Sequence, residues 1–470
     1  MRGIAFTAPR GYRLPRHPLL LGACALALGG AVGLLAPREA AALLVAAAGL
    51  LWPVVALCLA IAAIPLAGEW SLPLGGQSLT LMEPAVALAL AAWLVRGIRQ
   101  RSLRLWPSAL LAAQLVVLNL FVVSSLGAEV PSLSLKETLK WLELMIIFVL
   151  TVDLTREQGV AQAVLLTILG ATALEGAYGV FQFITGQGPD FYAIGPFMRA
   201  YGHFGQPNPF AGYLGTALPL ALALSTLPQP TLARWARLAA AVLALGVLAS
   251  LSRGAWVGLA TATALMLAIA SPRSRRWLVP LAVALLLLAV LGTLGLLPAV
   301  LTERLGVVAE YFGPFDVRAV EVTPQNWSVV ERMAHWQAAW EMFRDHPWLG
   351  IGPGNYSAAY GDYFLPGWLD PLGHAHNYYL NLAAETGALG LAAYLLTLGL
   401  AFRAALRGLR APAPFWRTVA IGTLGALVAI AFHSVFDNLF VHGVSVQMGA
   451  LLGLAQQVSQ RARPPAARSA

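Results

Sequence analysis

Residues 278–297 read LVPLAVALLLLAVLGTLGLL, a run of twenty residues without a charged side chain. An α-helix needs about 20 apolar residues to cross the hydrocarbon core of a bilayer. Arg273, Arg275 and Arg276 stand directly before the run, and basic residues collect on the cytoplasmic side of spanning helices. This stretch therefore predicts a transmembrane helix that enters the bilayer from the cytoplasm.

The rest of the sequence has the same character. Hydrophobic residues make up 59% of the 470 positions and charged residues only 11%, whereas a soluble domain carries about 25% charge. So little charge cannot cover a water-facing surface. We predict an all-α, polytopic transmembrane bundle of about 12 full spans (12–14). The predicted spans are roughly 19–35, 79–95, 108–126, 133–153, 159–185, 208–227, 233–251, 254–270, 277–298, 377–402, 418–434 and 441–459.

The basic residues set the orientation. If the N-terminus is cytoplasmic and region 40–66, interrupted by Pro53 and Pro65, returns to its starting side, 21 of the 30 basic residues lie on one face. A single span at 40–66 would reverse this parity. We expect both termini inside and a retained first helix rather than a cleaved signal peptide. The basic residues are parcelled into short runs, so we expect no nucleic-acid partner.

This topology divides the chain into three parts. We predict N-terminal transmembrane helices over 1–298 with an external loop at 186–207, a long external segment over 299–376, and C-terminal transmembrane helices over 377–470. The long segment has helical content of its own.

Within that segment, residues 329–345 place Met333, Trp336, Trp340 and Phe343 at spacings of three and four. This pattern predicts an amphipathic helix whose apolar face rests on the membrane surface or on top of the bundle. The Gly/Pro-rich stretch that follows it reads as a turn-rich connector.

Two external arginines are candidates for binding an anion. Arg253 lies in a tight break between apolar helices, where Gly254 permits close backbone approach. A guanidinium fork there suits a phosphate or diphosphate, and the alternative is an arginine that reaches to the outer headgroups. Arg199 precedes the 208–227 helix on the same side, and taken alone it is an ordinary loop residue. We expect Asn208 to cap that helix.

The start of the 377–402 span carries His374 and His376. A neutral imidazole at His376 suits a general base, whereas His374 fits a capping or buried role better. Two histidines could form half of a metal site, but no carboxylate stands at ligand-like spacing, so we expect no metal. Arg332 has two open interpretations, an ion pair with Glu331 or a substrate contact. Residues expected to be structural are His203, His335, His346, Asp437, Asn438 and His442.

Four short motifs together resemble recurring sites of the O-antigen ligase/polymerase family. The resemblance covers about residues 195–400. The motifs, in chain order, are Arg199…Gly202…Asn208-Pro209, then Ser252-Arg253-Gly254, then the segment from Pro347 to Tyr356, then His376-Asn377 followed by nine residues, Gly387, two residues and Gly390.

The resemblance implies a glycosyltransferase of the bacterial cytoplasmic (inner) membrane with a periplasmic active site. Family members move a glycan en bloc from undecaprenyl diphosphate to an acceptor hydroxyl, with inversion and without a metal or other cofactor. By this resemblance, Arg199 and Arg253 bind the diphosphate and His376 deprotonates the acceptor. We also expect substrate contacts from Arg332, His374 and Asn377.

We expect an O-antigen ligase of lipopolysaccharide biosynthesis, whose acceptor is lipid A core. The alternative is a polymerase of O-antigen or of another surface polysaccharide, whose acceptor is a second lipid-linked glycan. A transporter or flippase of lipid-linked sugars is a third hypothesis, but it needs polar residues through the midplane of several spans. The main candidates for that role are Glu143 and Glu175. A non-catalytic scaffold would leave Arg199, Arg253 and His376 without a joint purpose.

Overall fold

The computed structural model describes residues 52–68, 71–74, 77–103, 105–297, 315–323 and 326–462. Over these ranges the fold is helical apart from two short antiparallel ribbons, β1 (Ser71–Leu74) with β2 (Gln77–Thr80) and β3 (Ala193–Ile194) with β4 (Phe197–Met198). The α-helices are α1 (Pro53–Ala62), α2 (Met82–Arg99), α3 (Ala109–Ser124), α4 (Pro131–Leu154), α5 (Gln158–Thr185), α6 (Pro207–Leu224), α7 (Pro230–Ala249), α8 (Arg253–Ala270), α9 (Leu278–Thr293), α10 (Trp327–Asp345), α11 (Tyr356–Tyr363), α12 (Tyr378–Gly408), α13 (Pro414–His433) and α14 (Val444–Arg461).

In the described ranges, seven helices are long and apolar enough to cross a membrane: α3 with the turn that follows it, α5, α7, α8, α9 with the turn that precedes it, α12 and α13. The all-helical fold is therefore confirmed, and the count of twelve full spans stays a prediction. The predicted span 19–35 lies outside the described residues. In region 40–66, α1 has only ten residues, which is too short to cross a bilayer alone.

Four further predicted spans fold as α2, α4, α6 and α14 but are less apolar than the seven. Protein rather than lipid surrounds α14, and its residues 444–459 are all buried. A helix in that position can keep polar side chains such as Gln447 and Gln457, because they find partners inside the bundle. Gln447 donates to the Thr216 hydroxyl at 2.6 Å, and Gln457 donates to the Val152 carbonyl at 3.1 Å.

The charge-free run at 278–297, most of which forms α9, has the opposite environment. Only 6% of the apolar window at 274–292 is buried within the protein. A helix that is hydrophobic on all sides and touches little protein needs lipid around it. This exposure supports the predicted transmembrane role of α9.

Close helix packing holds the bundle together through small residues. Helix α14 packs along α4, and α13 packs between α6 and α8. Gly449 and Gly453 stand one turn apart on α14, where a methyl group at Gly449 would lie 2.4 Å from the Leu144 carbonyl oxygen. Such spacing lets two backbones approach as in membrane helix pairs.

Helix α12 is broken at Gly387, whose φ of 65° and ψ of −170° interrupt the helical backbone. The Gly/Pro connector fills this break: the Ile351 N–H donates to Ala384 at 3.0 Å, and the Ala388 N–H donates to the Pro347 carbonyl at 2.8 Å. A methyl group at Gly387 would lie 2.2 Å from the carbonyl carbon of Trp348. The family spacing from His-Asn to Gly therefore marks a joint between two helix segments.

The predicted amphipathic helix is present as α10, and the apolar residues of its predicted face differ in burial. Its buried residues include Val330, Met333, Ala338 and Met342, and small residues there let it pack against α12. Trp340 lies on the same side of the helix as Met333 but is 49% exposed, so contact of this part of the face with the membrane surface stays a prediction. An exposed tryptophan of this kind suits a membrane–water interface.

Candidate active site

The turn before α12 places His376 against the loop between α13 and α14. Asn377 caps the helix, because its side-chain oxygen accepts from the backbone N–H groups of Tyr379 and Leu380 at 3.0 and 3.1 Å. His376 has a φ of 51°, a left-handed conformation that is uncommon for a residue with a side chain. In this position its Nδ1 lies 3.2 Å from Oδ1 of Asp437.

The two ring nitrogens of His376 have different surroundings. With the carboxylate of Asp437 beside Nδ1, the proton is placed on that nitrogen, and Nε2 keeps its lone pair. The Nε2 atom is buried and has no hydrogen-bond partner among the described residues. A carboxylate-oriented imidazole with an unused Nε2 is the arrangement of a general base.

Asp437 is buried and surrounded by donors. Oδ2 accepts from the side-chain amide of Asn208 at 2.5 Å, and Oδ1 accepts from the Asn438 N–H at 2.9 Å. Burial raises the pKa of Asp437, but the neighbouring charge and hydrogen bond of His376 outweigh it and lower the pKa well below its ordinary value. The carboxylate therefore stays ionised at neutral pH.

His374 packs against the same pair. Its ring centroid lies 4.4 Å from that of His376, and its Nε2 lies 3.7 Å from Oδ1 of Asp437. Its Nδ1 accepts from the backbone N–H of His376 at 3.1 Å, which helps to hold the turn. Burial, with the charge of His376, lowers the pKa of His374 to about 3, so this ring is neutral at pH 7.

A third imidazole, His335 on α10, joins the group. Its ring centroid lies 5.7 Å from that of His376, and its Nδ1 lies 2.9 Å from the Tyr356 hydroxyl. It stacks on Tyr360 with centroids 4.9 Å apart. Burial and the charge of His376 lower the pKa of His335 to about 4. The sequence assigned His335 a remote structural role, whereas it lies in contact with the candidate base.

Three of these side chains form a set of metal-binding donors. His374, His376 and Asp437 each offer one ligand atom, and these atoms lie within 4.8 Å of one another. Imidazole nitrogens with a carboxylate oxygen suit zinc and similar divalent ions. The expectation of no metal rested on the lack of a carboxylate at short spacing, and Asp437 supplies one from a distant loop.

Arg199 reaches the site through Asn208. Its Nε donates to the Ser250 carbonyl at 2.8 Å, and its Nη2 donates to Oδ1 of Asn208 at 3.0 Å. Asn208 was expected to cap α6, but the N-cap residue is Gln206. Asn208 instead lies in the first helical turn, and its side chain bridges two charged residues.

These contacts form one continuous chain of hydrogen bonds. It runs from Arg199 to Asn208, then to Asp437, then to His376. Arg199 and His376 belong to different loops, so only the folded bundle brings them together. The predicted grouping of these two residues in one site agrees with this geometry.

Arg253 and Arg332 both donate hydrogen bonds to Ser328. Arg253 is the first residue of α8, and its Nη2 donates to the Ser328 hydroxyl at 3.1 Å. Arg332 donates to the backbone carbonyl of the same Ser328 at 2.6 Å. Glu331, the ion-pair partner considered for Arg332, instead accepts from the indole of Trp327 at 3.3 Å.

The charge of Arg332 acts on the histidine group. It contributes to lowering the pKa of His335, His374 and Asp437. Arg332 stands three residues before His335 on α10, one helical turn away. Through Ser328, Arg253 also belongs to this neighbourhood.

Residues 238–395 match a family model described as O-antigen ligase. Over this stretch the chain is similar to the O-antigen ligase family. The family resemblance seen in the sequence motifs is thereby confirmed. No match appears among curated proteins.

The O-antigen ligase stretch contains only part of the site. Arg253, Arg332 and His376 lie inside it, whereas Arg199 and Asp437 lie outside it on either side. The hydrogen-bond chain joins these outer residues to the O-antigen ligase stretch. The site is therefore built by the N-terminal, middle and C-terminal helices together.

Three residues of the site were missed as functional in the sequence: Asn208, His335 and Asp437. Capping explained Asn208, capping or solvation explained Asp437, and His335 stood in no motif. The one available signal for Asp437 was an acidic residue between two apolar helices. Its contact with His376 spans 61 residues of sequence and becomes visible only in the fold.

Proposed function

We propose that this protein transfers a glycan from undecaprenyl diphosphate to an acceptor hydroxyl at the periplasmic face of the bacterial inner membrane. The observation that carries the proposal is the buried Nε2 of His376, which has no hydrogen-bond partner in the part of the chain that the structure describes. Asp437 orients this ring, and Asn208 links Asp437 to Arg199. The O-antigen ligase match gives this arrangement its reaction class.

The reaction follows from the roles of these groups. The acceptor hydroxyl gives its proton to Nε2 of His376 while its oxygen attacks the anomeric carbon. The bond between that carbon and the diphosphate oxygen breaks, and the diphosphate leaves with the electron pair. Attack from the face opposite the leaving group inverts the anomeric centre. Asp437 stabilises the imidazolium that forms.

Arginines stabilise the departing diphosphate. Arg199 and Arg253 each donate from a guanidinium that the fold holds by other hydrogen bonds, and such forks match phosphate oxygens. Preorganised charge of this kind lowers the barrier without further rearrangement. Arg332 lies close enough to add to this field. His374 and Asn377 support the turn that carries His376, and His374 also lines the site.

The membrane arrangement is part of the proposal. We place both termini in the cytoplasm, with 12–14 spans and the 299–376 segment in the periplasm. The ends of α12 support this orientation, because His376 precedes its first residue whereas Arg403, Arg407 and Arg410 lie at or just beyond its other end. Basic residues favour the cytoplasmic side, so the site lies on the opposite face.

Reconstitution tests the function directly. Purified protein in liposomes receives an undecaprenyl-diphosphate glycan and either lipid A core or a second lipid-linked glycan. We expect His376→Ala to lose about 10²–10⁴-fold in transfer rate, and Arg199→Ala and Arg253→Ala to lose about tenfold or more each. Matched controls are His346→Ala and Arg344→Ala, since Arg344 forms an exposed pair with Glu341.

The same assay separates the alternatives. A single addition to lipid A core identifies a ligase, and a ladder of products on lipid-linked glycan identifies a polymerase. A transporter would move the donor across the bilayer equally well in wild type and in His376→Ala. Full glycan transfer by His376→Ala would refute the general base.

A further inference from the structure

We propose that Asn208 is a positioning residue that holds Arg199 and Asp437 apart, so that each keeps its charge for a different partner. This inference rests on the proposed function, because it assigns Arg199 to the diphosphate and Asp437 to the imidazole of His376. It adds a residue whose side chain touches neither the donor nor the acceptor.

The geometry of the amide is specific. Oδ1 of Asn208 accepts from Nη2 of Arg199 at 3.0 Å, and Nδ2 donates to Oδ2 of Asp437 at 2.5 Å. An amide has an acceptor on one side and donors on the other. It therefore satisfies a guanidinium and a carboxylate at the same time without carrying a charge itself.

Direct contact between the two charged residues would have a different effect. Arginine and carboxylate groups pair strongly and often through two parallel hydrogen bonds. In such a pair the guanidinium of Arg199 would bind Asp437 instead of the diphosphate. It would also draw the carboxylate away from Nδ1 of His376. The intervening amide keeps Oδ1 of Asp437 on His376 and keeps the Arg199 guanidinium out of a direct ion pair with that carboxylate.

The local sequence fixes Asn208 in this position. Pro207 and Pro209 flank it at the start of α6, and each proline ring fixes its own φ near −65°. The N-cap position belongs to Gln206, so the helix does not require the Asn208 side chain for capping. Both ends of its amide serve residues from other loops.

Asn208→Asp is the discriminating variant. The new carboxylate pairs with Arg199 and faces Asp437 across the former hydrogen bond, where two carboxylates disfavour each other's ionisation. We expect the affinity for undecaprenyl diphosphate to fall about tenfold or more. The substitution also removes the donor that holds Oδ2 of Asp437, so the carboxylate that orients His376 is disturbed and kcat should fall as well.

Asn438→Asp is the matched control. It places the same charge next to Asp437 in the chain and keeps the side-chain oxygen that accepts from the Phe440 N–H. Asn208→Leu adds a second test, because it removes both hydrogen bonds without adding charge and should lower kcat. Thermal unfolding and gel filtration establish that each variant is folded before kinetics are compared.

The experiment measures binding of undecaprenyl diphosphate to the purified full-length protein and, separately, kcat and KM of glycan transfer. Lower donor affinity together with lower kcat in Asn208→Asp, with Asn438→Asp near wild type, supports the proposal. Equal changes in the two Asp variants would reduce the effect to added charge and overturn it. Wild-type donor affinity and wild-type kcat in Asn208→Asp would also overturn it, and the proposed function would still stand. A wild type that neither binds donor nor transfers glycan would refute both.

Discussion

Replacing Asp437 by asparagine tests the candidate base without removing it. Asp437 is an acceptor at both oxygens: Oδ1 faces His376 and the Asn438 N–H, and Oδ2 faces Asn208. An asparagine supplies one oxygen and one NH₂ group in the same space. Because both positions face donors, the new NH₂ group must face another donor whichever way the amide turns.

Either orientation of the new amide harms the reaction. If the NH₂ group faces His376, the proton of that ring moves to Nε2, which can then no longer accept the acceptor's proton. If the NH₂ group faces Asn208, the oxygen keeps its place, but the negative charge that stabilises the imidazolium is gone. Proton abstraction by a positioned base contributes about 10²–10⁴-fold to rate. We expect kcat of Asp437→Asn to fall within that range.

The assay is glycan transfer by liposome-reconstituted protein at saturating donor and acceptor. Asp316→Asn is the control, because Asp316 forms an exposed pair with Arg318 in the external segment. Thermal unfolding shows whether the buried substitution perturbs folding. A folded Asp437→Asn protein with kcat within about threefold of wild type would refute the orienting role of the carboxylate.

Three other outcomes are expected. Gly387→Ala should lower the unfolding temperature strongly, because its methyl group would meet the Trp348 backbone at 2.2 Å. Gly399→Ala is the control, since the space around Gly399 is open, and it should not lower that temperature. Equal stability of the two variants would contradict the packed joint. Since folding lowers the pKa of His335 to about 4 and of His374 to about 3, the unfolded chain binds more protons below about pH 6.5. Stability should therefore be full above that pH and fall as pH decreases toward 4, and a flat thermal-unfolding profile would refute this. Dialysis against a chelator, checked by elemental analysis, should leave transfer intact; loss that one divalent ion restores would instead make the histidine–aspartate set a metal site.

Apolar runs predicted the helices well, because every spanning helix must satisfy its backbone internally and present apolar side chains to lipid. The same reasoning was weaker for helices that lie inside the bundle, such as α14, whose composition reflects protein neighbours. It also left the surroundings of Trp340 open, because the period of a helix shows that Met333 and Trp340 share a side and does not show how much of that side protein covers. The break at Gly387 has a sequence signal in its glycine, but its partner, the connector before α11, is identified only by the fold.

The sequence likewise predicted some residues of the candidate site and not others. His376, Arg199 and Arg253 were found because their short motifs resemble a family and their chemistry is unusual for external loops. Asn208 and Asp437 were assigned to capping or solvation, since each can be explained by its immediate neighbours. Their joint role depends on contacts between loops that are distant in sequence. No local pattern encodes such contacts, and here they required the packing of α6 and α13.

The position of Asp437 also has a consequence for biosynthesis. It lies in the loop between α13 and α14, the last two helices described in the chain, whereas His376 precedes α12. During synthesis, the ribosome completes the histidine-bearing turn well before it releases the last hairpin. The carboxylate therefore cannot reach the imidazole until that hairpin has inserted. A nascent or truncated chain can hold the arginines and the histidine and still lack the carboxylate that orients the candidate base.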